Sequence, residues 1–88
     1  MKKTGRFFVY LVQCKTGAYY AGYTVDIKKR LELHNSGKGA KYLRGKAPVK
    51  LVYCREYRYL KNALKAELAL KKMSRTKKEQ LAGTLSGG

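Results

Sequence analysis

The sequence is poor in acid. Only five of its 88 residues are Asp or Glu, and it has one histidine, one proline and no tryptophan. With so few acids there is no dense cluster of carboxylate ligands, and no Ser-His-Asp pattern or phosphate-binding glycine loop is present. Cysteine is equally sparse. Cys14 and Cys54 each end an apolar run, neither belongs to a CxxC pair, and His34 is near neither in sequence. This argues against zinc and for two small buried thiols. No apolar run approaches the ~18 residues that span a bilayer. The basic start, Met1-Lys2-Lys3-Thr4-Gly5-Arg6, precedes too short an apolar run for a signal sequence, and charge resumes at Lys15. A soluble, cytoplasmic protein is expected.

What is abundant is positive charge. With 21 Lys and Arg against five acids the formal net charge is 21 − 5 = +16. Such a surplus repels itself in a compact state and favours a polyanionic partner. Nucleic acid fits better than a membrane surface, because the basic residues are not gathered along one amphipathic helix. A 44% hydrophobic content with eight tyrosines is that of a chain able to bury a core. The length suits one domain, with residues 1–5 as a basic lead, 6–83 as the domain and 84–88 as a flexible tail.

Residues 7–14 are apolar on both alternating sets of positions, as in a central strand covered on both faces. The Lys15-Thr16-Gly17 turn leads to a second strand over 18–23, completing a hairpin. Thr24 is placed to cap a helix over 25–35, with Gly37 just past its end. Ile27, Leu31 and His34 face inward on that helix, with Arg30 beside them. A Gly-rich basic loop follows over 36–46. Pro48 opens a third strand over 49–53 or a little beyond, and a helix over 58–72 turns Leu60, Ala63, Leu64 and Leu68 inward. Thr76 and Glu79 form a capping box for a last short helix ending near Gly83. The expected fold is α+β, a small three-stranded antiparallel sheet with helices packed on its faces.

Three features stand out against this frame. Tyr10 brings a hydroxyl into an otherwise apolar strand, which by itself fits a core tyrosine reaching the rim. Arg30 and His34 share a helix face one turn apart, an arrangement that suits a phosphate, although a snorkelling arginine and a partly buried histidine would look the same. Glu67 lies on the inward stripe of its helix, where a carboxylate must be paired with a Lys or Arg or bound to a cation. Asp26, Glu32, Glu56 and Glu79 read as capping or surface charges. Together the three features could build a single-metal phosphodiesterase site. One Mg²⁺ or Mn²⁺ ion would sit at Glu67, and Arg30 would help it stabilise phosphate charge. A tyrosine with a lowered pKa would activate water.

At these residues the sequence resembles the GIY-YIG endonuclease domain. Phe8-Val9-Tyr10 corresponds to the first motif and Tyr20-Ala21-Gly22 to the second. Thr24, Arg30, His34-Asn35 and Gly37 continue the order Y-x-G-x-T, R-x-x-x-H-N-x-G, and Glu67 falls where the family's metal-binding glutamate is found. The resemblance covers about residues 6–80. It is strongest to small stand-alone members, similar to the N-terminal nuclease domain of the excision-repair endonuclease. Phe8, Val9 and Ala21 depart from the family letters at positions that look structural.

The resemblance implies Mg²⁺-dependent hydrolysis of one DNA strand. Tyr10 would be the general base and Tyr20 its support. Arg30 would stabilise the transition state, His34 would assist proton transfer or hold the tyrosine, and Glu67 would bind metal. Gly22 would let the backbone turn tightly beneath the site. Lys38, Lys41, Arg44 and Lys46 could line the nucleic-acid path, with Tyr42 stacking on an unpaired base. RNA as substrate, and a protein partner that directs the enzyme, are further expectations. The alternative is a nucleic-acid-binding module on the same fold without catalysis of its own.

Overall fold

The computed structural model describes residues 4–86, apart from the side chains of Thr4, Tyr42 and residues 84–86. The expected stacking by Tyr42, and most of the expected lead and tail, lie outside the described residues. Strands β1 (Thr4–Cys14), β2 (Tyr19–Thr24) and β3 (Val49–Tyr59) form one antiparallel sheet in the order β2-β1-β3. Helix α1 (Ile27–Asn35) follows β2, and α2 (Leu60–Lys72) and α3 (Arg75–Ser86) follow β3. The architecture is the α+β sheet with flanking helices that the sequence predicts.

The central strand is apolar on both faces because both faces are covered. Phe7, Val9 and Leu11 pack with Ala21, Val52, Ala63 and Leu70 on the side of α2 and α3. Tyr10, Val12 and Cys14 pack on the other side with Leu43 and Val49, against Ile27 and Leu31 of α1. Phe8 shares that second face but is only half-buried, and the Arg6 guanidinium lies over its ring at 5.6 Å.

Four local expectations are corrected. The cap of α1 is Asp26, which accepts from the Lys29 N–H, while the buried Thr24 hydroxyl accepts from the Asp26 N–H. Strand β3 runs on to Tyr59, so Arg58 belongs to the strand and not to the helix. Continued pairing with the start of β1 sustains it, helped by the Arg6–Glu56 ion pair at 3.0 Å. Leu64 and Leu68 are exposed, and α2 buries Ala63 and Leu70 instead. Ser74, not Thr76, caps α3 through the Lys77 N–H, and Glu79 pairs with Arg75. That helix also continues past Gly83, to Ser86.

Candidate active site

Strand alternation turns Tyr10 toward α1, where it is 2% exposed. Directly across the ladder on β2 stands Gly22. A Cβ added there would lie 2.6 Å from the Tyr10 hydroxyl and 2.9 Å from Cζ, so the phenol lies where a side chain would otherwise be. The expected tight turn at Gly22 is therefore corrected. The residue sits within a regular strand, and what it contributes is space.

His34, in the last turn of α1, is 1% exposed and meets the rings of Tyr10 and Tyr20 at 5.9 and 5.8 Å between centroids. Its Nε2 lies 3.0 Å from the Tyr10 hydroxyl oxygen. Its Nδ1 accepts from the backbone N–H of Ala40 at 3.2 Å. Burial, and then the charge of Arg30, push His34 below its ordinary value of 6.5, so the ring is neutral near pH 7. The neighbouring Asn35 ties α1 to the start of β3, accepting from Val49 N–H at 2.7 Å and donating to Val49 O at 3.2 Å.

Electrostatics brings the remaining candidates to the same hydroxyl. Burial pushes Tyr10 up to about 12; Tyr20 and Glu67 add to the rise, and Arg30 opposes it. Arg30 is half-buried on α1, and Glu67 reaches the group from α2, which packs against both β1 and β2. The Glu67 side chain is 18% exposed and pairs with Lys71 at 3.3 Å, the plain pairing that the sequence allows. Tyr10, Tyr20, Arg30, His34 and Glu67 thus form one group.

The donors suit some cations and not others. No cluster of three His, Cys, Asp or Glu side chains exists among the described residues, which does not fit a zinc cage. One carboxylate near two phenol oxygens does fit Mg²⁺, a hard ion that keeps several of its waters and completes its shell with phosphate oxygens.

The basic loop borders this group. Lys38, Lys41 and Arg44 are exposed, and the half-buried Lys46 accepts at its carbonyl from the Lys15 N–H at 3.4 Å. Cys14 and Cys54 are free thiols pushed up by burial, as suits structural rather than reactive cysteines. Sequence reasoning overlooks Gly39. A Cβ there would fall on His34 Nδ1 and lie 2.9 Å from His34 Cα. In a loop with several glycines, nothing in the sequence marks the one that a neighbouring ring requires.

Comparison with known proteins agrees with this geometry. The GIY-YIG catalytic domain model matches residues 6–80. A UPF0213 protein of Streptococcus pneumoniae serotype 4 is 47% identical over 73 residues, which cover 83% of this chain and 74% of that protein. The solution structure of the UPF0213 protein BH0048 from Bacillus halodurans has a TM-score of 0.59 at 42% identity, covering 91% of this chain and 85% of that one. For the solution structure of EF2693 from E. faecalis the TM-score is 0.63 at 37% identity, covering 100% and 94%. No helix among the described residues is long and apolar enough to cross a membrane. With the family model spanning nearly all of the sheet and helices that carry the candidate residues, the chain belongs to the GIY-YIG family, a family of nucleic-acid endonucleases.

Proposed function

We propose that the chain is a metal-dependent endonuclease that hydrolyses a phosphodiester bond in DNA, directed by structure more than by sequence. One observation carries the reading: a single buried phenol is held by His34 while feeling Arg30, Tyr20 and Glu67. A structural tyrosine needs one hydrogen-bond partner, not a surrounding of charges of both signs.

In this mechanism water attacks phosphorus, its proton passes to the Tyr10 oxygen, and the bond to the leaving oxygen breaks. Arg30 stabilises negative charge on the phosphate, and Tyr20 orients the water or the phosphate. Glu67 would hold one Mg²⁺ or Mn²⁺ ion, which supplies Lewis-acid stabilisation of the phosphate and the leaving oxygen. Tyr10 at about 12 leaves on the order of 10⁻⁵ of the phenol ionised at pH 7, so the base must be favoured further when substrate binds. Arg30 already acts in that direction.

The second reading is a binding module without turnover, or one that cuts only with a partner. The Glu67–Lys71 pair favours it, because that carboxylate already has a cation.

Purified protein incubated with labelled duplex, single-stranded and branched DNA, in Mg²⁺, Mn²⁺ or EDTA, separates the two. Metal-dependent cutting that Glu67→Gln abolishes while DNA binding persists is expected. Binding without cutting in every lane would overturn the enzyme reading, and equal cutting by Glu67→Gln would overturn the metal assignment. RNA run beside DNA tests the sugar preference.

A further inference from the structure

The hydrogen bonds around His34 decide something that the catalytic reading leaves open: which partner of the Tyr10–His34 pair carries the proton between them. A backbone N–H can only donate, so the Ala40 amide obliges His34 Nδ1 to accept. A neutral imidazole has one N–H, and with Nδ1 accepting, that hydrogen must be on Nε2. Nε2 faces the Tyr10 oxygen at 3.0 Å. The phenol is therefore the acceptor of this bond, and its own hydrogen is directed elsewhere.

We infer that His34 is a hydrogen-bond donor to Tyr10, set in that tautomer by the Ala40 amide, and that Gly39 is the positioning residue that lets the amide reach the ring. This rests on the proposed role of Tyr10 and sharpens it. His34 does not take the Tyr10 proton, because its facing nitrogen already carries one. Instead its N–H is aimed at the oxygen where charge develops once the phenol proton has left, and it stabilises that phenolate. The tyrosine proton must then leave on the side away from His34, toward the group formed by Tyr20, Arg30 and Glu67.

Geometry gives Gly39 its part. Its backbone passes so close to His34 that any Cβ would occupy the position of Nδ1, and 2.9 Å from His34 Cα leaves no room to slide past. The requirement is for space, because Gly39 is not among the glycines with positive φ, which are Gly5, Gly17, Gly37 and Gly45. The inference also ties the basic loop to the chemistry. Ala40 lies between Lys38 and Lys41, so the segment proposed to meet nucleic acid is the segment that fixes the histidine tautomer.

The chain has a single histidine, which makes the test direct. The full-length protein, labelled with ¹⁵N in histidine, is read by long-range proton–nitrogen NMR at a pH where the ring is neutral. A protonated Nε2 with an unprotonated Nδ1 is expected, and a protonated Nδ1 would overturn the proposal. This readout does not depend on turnover, so a protein that shows the expected tautomer yet cuts no DNA would refute the nuclease reading alone.

The decisive variant is Ala40→Pro, which deletes the amide hydrogen. The native φ of −56° already suits proline, so little else should change. It should release the lock, giving a mixture of tautomers, and lower the cutting rate on the order of tenfold or more with DNA affinity unchanged. An unaltered tautomer and rate would overturn the assignment to Ala40. Gly39→Ala should do the same or worse. If it does not fold, Gly37→Ala serves as the control for a loop glycine with nothing within 4 Å of its added Cβ.

Discussion

At the scale of single residues, His34 gives up ready protonation for placement. Its ring is held below its ordinary value by burial first and Arg30 second, so the folded protein binds this proton less readily than the unfolded chain does. The associated stability is present above pH 6.5 and is lost as pH falls through the lowered value of the folded state. The unfolding midpoint in urea should therefore drop on acidification below about pH 6.5, and His34→Gln should remove that part of the slope. Gly22 offers a sharper test. The Tyr10 ring is pinned between β2 and His34, so Gly22→Ala forces an overlap that costs about 1–3 kcal/mol. Gly83→Ala, in a helix with nothing within 4 Å of the added carbon, should be neutral or stabilising by up to ~1 kcal/mol. Equal effects from the two alanines in urea titration would contradict the packing described. The meeting of Tyr10 with His34 could be anticipated, since strand alternation and the helical turn both point them inward. Gly39 could not, because its need for space arises only when a loop folds back over a ring distant in sequence.

At the scale of elements, α2 shows why hydrophobicity alone misplaces a helix face. The helix begins at Leu60 directly where β3 ends at Tyr59, so its rotation is set by the exit of the strand. That phase puts Ala63 at the sheet, where it is fully buried, and Leu70 behind it, while Leu64 and Leu68 face outward at 41% and 53% exposure. Glu67 is then carried inward between Ala63 and Leu70, beside the Tyr10 face rather than in solvent. Replacing Leu64 or Leu68 by Gln should change stability by no more than ~0.5 kcal/mol. Leu70→Ala should cost about 2–5 kcal/mol and Ala63→Leu about 1–3 kcal/mol. Chemical denaturation of the four variants checks the phase, and a large loss at Leu68 would mean that the helix is rotated. The long β3 was illegible for a related reason. Arg55, Glu56 and Arg58 break the apolar alternation, and pairing with β1 holds them in the strand regardless. The central strand was legible because its two apolar faces meet two separate cores.

At the scale of the whole molecule, a net charge of +16 on 88 residues is the dominant field, and only some of it should matter for binding. Among the described residues Arg6, Lys71 and Arg75 are partnered by Glu56, Glu67 and Glu79. These pairs are largely exposed and are worth little for stability, but they locally offset positive charge. The loop that carries Lys38, Lys41 and Arg44 has no acid between Glu32 and Glu56, so its field is undiluted in sequence, and it adjoins His34 through Ala40. If nucleic acid lies along that loop, each phosphate neutralised there releases counterion and steepens the dependence of affinity on salt by about 0.9 in the log–log slope for duplex DNA. Lys38→Gln, Lys41→Gln and Arg44→Gln combined should then flatten the slope by about 2–3. The same three changes among Lys61, Lys65 and Lys77, on the helices of the opposite face, should flatten it much less. Fluorescence anisotropy with a short labelled duplex across a series of salt concentrations measures both. Equal flattening by the two sets would mean that DNA responds to total charge and not to this path, leaving substrate placement to the Tyr10 group itself.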